Sequence, residues 1–115
     1  MSNQDAQAYR KEIQKEVLYL IKNKLEAGEM DATRAKEISV YILDCFKAHE
    51  QMNKDEMYQK VKNFDVKKFP ELIKITTIAI KRHLEDVRVK VGEVVGELIK
   101  GKKFKEAILL LRKYS

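Results

Sequence analysis

One proline and four glycines in 115 residues leave the chain few places to turn sharply. That scarcity argues against a many-stranded sheet, which needs frequent turns, and favours long helices. A single cysteine excludes an intrachain disulfide framework and points to a reducing, cytoplasmic compartment. No apolar run approaches the ~20 residues of a membrane span, so no membrane insertion is expected. The opening MSNQDAQAYRKE has none of the hydrophobic stretch that a signal peptide needs.

Catalytic signatures are equally scarce. There are two histidines and three serines, two of the latter close to the termini. No nucleophile elbow, P-loop or dinucleotide-binding glycine turn occurs, and the glycines at 28, 92, 96 and 101 are too scattered to cradle a phosphate. A di-iron bundle needs Glu three residues before His, but Phe46 precedes His49 and Ile80 precedes His83 at that spacing. The expectation is a non-enzyme with no cofactor and no small-molecule substrate.

What is present is helical patterning in a well-folded composition, 44% hydrophobic and 37% charged. A first helix starts near Ser2 or Asp5 and runs to Ala27, with Tyr9, Ile13, Val17, Leu20, Ile21 and Leu25 on one face. Gly28 supplies a left-handed stop, Asp31 an N-cap, and Met30 a hydrophobic staple onto Ala35. The second helix turns Ala35, Ile38, Ile42, Cys45 and Phe46 inward and frays around Glu50 to Met52. Asn53 with Glu56 makes a capping box for a short third helix that buries Met57, Val61 and Phe64. Pro70 then opens a long helix to about Lys100. Along it Phe69, Ile73, Ile80, Leu84, Val87, Val91, Val94, Val95 and Leu98 share an arc roughly 100° wide. The β-branched run LIKITTIAI reads partly as strand, but a lone strand would have no partner, so helix is retained. Gly101 breaks the run, and Phe104, Ala107, Ile108, Leu111 and Tyr114 mark a final short helix. The expected fold is a single all-α domain over residues 1–115, an antiparallel bundle of four to five helices with a long central helix at about 71–100.

Three constellations invite a functional reading. Cys45 and His49, four apart, suit two ligands of a zinc site, but a structural site wants four and only His83 remains. The plainer account makes Cys45 a core residue and His49 a helix-end group, so no metal is expected. Gly92 and Gly96 permit close approach of another helix, or simply loosen the long one. The third is charge. Residues 1–50 hold 8 Lys/Arg and 9 Asp/Glu, residues 51–115 hold 16 and 9, so the net +6 is entirely C-terminal. Lys74, Lys81 and Arg88 recur every seventh residue, joined by Arg82 and by Lys100, Lys102, Lys103 and Lys105 around Gly101. Such a stripe suits phosphates. Interleaved acids and 19 lysines against 5 arginines favour instead a solvated face.

Two functions follow. The leading expectation is a small protein-interaction or adaptor module that binds a protein partner or itself through Ile75, Ile78, Val89, Leu109 and Leu110, which lie off the main apolar arcs. The alternative is a sequence-nonspecific nucleic-acid-binding bundle that uses the basic residues just named.

Overall fold

The computed structural model describes the backbone of residues 2–114 and the side chains of residues 4–113. The fold is the expected all-α bundle: α1 (Ser2–Glu26), α2 (Ala32–Cys45), α3 (Lys54–Lys62), α4 (Ile73–Lys100) and α5 (Phe104–Tyr114). Short 3-10 turns occupy His49–Gln51 and Pro70–Leu72, and no strand occurs among the described residues. LIKITTIAI is helical throughout its α4 portion. β-Branched residues lose only a few tenths of a kcal/mol each in a helix, and packing overrides that preference. Of the residues that mark the final helix in the sequence, Tyr114 lies outside the described side chains. The chain divides into two compact units, Met1–Ala79 and Ile80–Ser115, with the boundary inside α4.

In the first unit, local chemistry sets the helix ends. Gly28, at φ 72°, donates its N–H to the Leu25 carbonyl (3.1 Å), and Glu29 donates to Lys24 (2.8 Å). This pair of bonds is a Schellman motif with glycine at its left-handed position. Asp31 Oδ1 then accepts the Arg34 N–H at 2.8 Å and starts α2. At α3, Asn53 Oδ1 accepts from the Glu56 N–H while Glu56 Oε1 accepts from the Asn53 N–H, completing the capping box.

These ends aim three helices and the first turns of α4 at one core. Ala6, Ile13, Val17 and Ile21 from α1 meet Ile38, Ile42 and Phe46, then Met57, Val61 and Phe64, and finally Leu72, Ile75 and Ala79. Tyr41 lies 4.7 Å from Phe69 and 6.0 Å from Phe64 between ring centroids, and its hydroxyl accepts the Asp65 N–H at 2.7 Å. Thr76 Oγ1 donates to the Val61 carbonyl at 3.1 Å, which fixes the rotation of α4 in this unit. Arg34 closes the assembly: Nε and Nη2 donate to the two Glu71 carboxylate oxygens at 2.6 and 2.9 Å, and Nη2 also donates to the Lys68 carbonyl at 2.7 Å. The guanidinium lies 4.9 Å from the centre of the Phe69 ring. This fork holds the Glu71 carboxyl below the ordinary glutamate pKa, chiefly through the hydrogen bonds from Arg34.

In the second unit α4 continues to Lys100 and the chain turns into α5. The turn repeats the Schellman pattern, with Lys102 donating to Ile99 (3.0 Å) and Lys103 to Leu98 (2.8 Å). Here the left-handed residue is Lys102, at φ 58°, and Gly101 sits one position early. Among the described residues of this unit, only Val95 and Ala107 are buried apolar side chains.

Candidate protein-interaction surface

The second half of α4 carries a mismatch between apolar pattern and burial. Ile80, Leu84, Val87, Val91, Val94 and Leu98 are separated by four, three, four, three and four residues. That is the 3.5-residue period that keeps a seam facing a second helix over its whole length. Leu84 and Val94 are 52% and 49% exposed, and the other four are half-buried.

The seam differs in direction from the face that the first unit uses. Ile75, Thr76 and Ala79 point into the first unit's core, and at 100° per residue the seam lies roughly 100° further around α4. Ile73 belongs to the seam's face and is 50% exposed, although the sequence pattern places it inward. Its neighbours Leu72 and Ile75 take the buried positions instead. The helix thus changes its apolar face near the boundary between the units. On α5, Phe104, Ile108 and Leu111 form a second apolar stripe, likewise about half exposed.

The expected interaction residues fall in three places. Val89 and Leu109 are exposed; Ile78 and Leu110 are half-buried. Ile75 is a correction. It is 4% exposed within the first unit's core, because Thr76 and Val61 fix the helix rotation that turns it inward, so it is no surface residue. The sequence pattern places Leu84 and Val94 on the main apolar arc of the long helix and Phe104, Ile108 and Leu111 on the final short helix; the structure leaves all five half exposed. The legible warning was the switch from Leu72, Ile75 and Ala79 to Ile80, Leu84 and Val87, two sets that share no helical face.

All the candidate nucleic-acid residues, Lys74, Lys81, Arg82, Arg88, Lys100, Lys102, Lys103 and Lys105, are exposed. They do not gather on one side of α4. At 100° per residue, Lys81 and Arg88 flank the seam on one edge while Arg82 lies nearly opposite it. From 80 to 100 the helix carries five basic and four acidic residues; residues 101–115 carry five and one. Lys100 is 3.8 Å from Glu97. Beta carbons added at Gly92 and Gly96 would meet nothing within 4 Å among the described residues, so none of those uses the close approach that these glycines permit.

Cys45 and His49 lose the shared helical face that a metal site would need. α2 ends at Cys45, and His49 opens the 3-10 turn. His49 Nδ1 is 2.9 Å from Gln7 Oε1, and Gln7 Nε2 donates to the His49 carbonyl at 2.9 Å, so this residue ties the turn to α1. Burial pushes the Cys45 thiol pKa upward, away from the thiolate that binds metals or attacks electrophiles. An open groove beside α2 is lined by Thr33, Lys36, Glu37, Val40, Tyr41, Asp44, Lys68 and Phe69. No described helix is long and apolar enough to cross a membrane. No family model, curated protein or solved structure matches the chain.

Proposed function

We propose that the chain is a non-catalytic protein-interaction module that docks a helical partner along the α4 seam from Ile80 to Leu98. The observation that carries this reading is a contrast on one helix: Ile75 and Ala79 are buried, while Leu84 and Val94, with equally apolar side chains, are half exposed at coiled-coil spacing. Isolated exposed leucines need no explanation, but a periodic stripe does. The lone cysteine, half-buried and with its thiol pKa raised, supports a reducing, cytoplasmic setting.

Thiol labelling tests the docking reading. Leu84→Cys and Val94→Cys, each in a Cys45→Ser background, are labelled at a chain concentration of about 10 nM, where weak assemblies dissociate. An open seam predicts rates within roughly tenfold of a free thiol. Labelling as slow as that of Leu72→Cys, in a chain that sediments as a monomer, would show that the seam is covered from within and end the reading.

The basic turn supports a second reading, sequence-nonspecific nucleic-acid binding through Lys100, Lys102, Lys103 and Lys105. Its observation is the five-to-one excess of basic residues in 101–115. Neutralising even three phosphates predicts a loss of roughly 40-fold in affinity between 50 and 200 mM salt. Salt-independent binding, or no binding at 50 mM, would exclude it.

A further inference from the structure

We infer that the occupant of the α4 seam is a second copy of this chain, in an inference that rests on the docking reading above. Three observations narrow the choice. First, the 3.5-residue period from Ile80 to Leu98 fits an α-helix rather than a strand, a loop or a flat surface, and every copy of the chain brings a helix of that period.

Second, the amount of open apolar surface is that of a dimer. Leu84, Val94, Ile99, Phe104, Ile108 and Leu111 are each between 49% and 55% exposed. At on the order of 80 Å² apiece they leave roughly 480 Å² per chain, near the apolar share of the about 800 Å² that each partner gives to a stable interface. The second unit has only two helices, and a layer of helices buries its apolar stripes only against another layer. A second copy supplies that layer with the fewest components and closes by twofold symmetry.

Third, charge does not select a partner of opposite sign. Along residues 80–100 five basic and four acidic side chains alternate, so two copies of α4 meet without a net repulsive field. The basic excess lies beyond the seam, in residues 101–115. A nucleic acid or a strongly acidic protein would meet Lys81 and Arg88 along one edge of the seam, but also four acidic side chains on the same stretch of helix.

The test is sedimentation equilibrium of the full chain from nanomolar to about 100 μM, at 0.1 and 0.5 M NaCl, read beside the thiol-labelling rates. The expected result is a monomer of 13.5 kDa passing to twice that mass, with a Kd that changes no more than about threefold between the two salts. Leu84→Cys and Val94→Cys become protected over the same concentration range. Leu84→Asp and Val94→Asp each weaken association about 100-fold or more while the helical circular dichroism is retained. Leu84→Ala and Val94→Ala, expected to cost about tenfold, replace them if an aspartate unfolds the helix. Val89→Asp, on the opposite side of α4 and just as exposed, leaves Kd unchanged.

A chain that stays monomeric at 100 μM yet labels fast would overturn the second copy and leave the docking reading intact. A monomer that labels slowly would remove both. A dimer indifferent to Leu84→Asp and Val94→Asp would place self-association elsewhere, and a mass above two chains would overturn the two-copy form.

Discussion

The first unit contains sixteen residues of one connected core, drawn from every helix it owns, whereas the second buries only Val95 and Ala107 among its described side chains. Both units use the same apolar residue types at helical spacing. What separates them is the number of elements that converge. α1, α2, α3 and the start of α4 enclose a volume from several sides; the second unit has two helices only, α5 and the rest of α4. Two helices leave the outer part of each stripe in water whatever their composition. Amphipathic pattern therefore identifies an apolar face, and the count of neighbouring elements decides how much of it a unit buries by itself.

The sharpest way to break this comparison is to make one substitution in both units. Leu72→Ala removes a fully buried side chain and should cost about 2–5 kcal/mol. Leu84→Ala, twelve residues later, should cost less than about 1 kcal/mol when measured at concentrations where the monomer dominates. Urea unfolding of the two variants checks this, and equal losses would mean that the second unit has a closed core after all.

Next in size is the Arg34–Glu71 fork of the first unit. Arg34→Lys keeps the charge but loses the two-pronged geometry and the stacking on Phe69, and it should lower Tm by several degrees. Because the folded state depresses the pKa of Glu71, this contribution is complete above the ordinary glutamate value of 4.5 and is lost as pH falls through the lower folded value. Arg34→Ala should flatten that acid limb in a plot of Tm against pH. An unchanged limb would assign the acid sensitivity to other carboxylates.

The smallest effects belong to the two matched turns. Gly28→Ala puts a β-carbon at a φ of 72° and should cost about 1 kcal/mol. Lys102→Gly relieves the same strain at a φ of 58° and should add about 0.5–1 kcal/mol to the second unit. Amide exchange in α5 reads the second change, and an unchanged exchange rate there would mean that Lys102 carries no strain.

Local chemistry was the legible part of the sequence. Gly28, Asp31, Asn53 with Glu56, and Pro70 act on bonds within five residues of themselves, and each marks its boundary as read. Rotation about the axis of α4 was less legible, because Leu72, Ile73, Ile75, Ile78 and Ile80 surround the helix on most sides and no periodicity picks one. The bond from Thr76 to Val61 and the pairing of Arg34 with Glu71 decide it, and those join residues 15 and 37 apart. The turn after Lys100 was legible as a stop but not in register, since the glycine adjoins the left-handed residue instead of occupying it. At the candidate surface, Val89 and Leu109 were found as exposed apolar residues. The seam was read as core because composition and period look the same for a stripe packed within a chain and one packed between chains.

The continuity of α4 across the unit boundary makes one helix a shared thermodynamic element. Each helical turn is easier to form beside one already formed, so opening of residues 80–100 propagates as fraying toward Ala79. An occupant that held the seam, as proposed above, would suppress that fraying from outside. Hydrogen exchange at Ile75 to Ala79 would then slow with the concentration of whatever bound further along the helix. Through this ladder of amides the well-packed half of the molecule would register the occupancy of the other half without any change of shape.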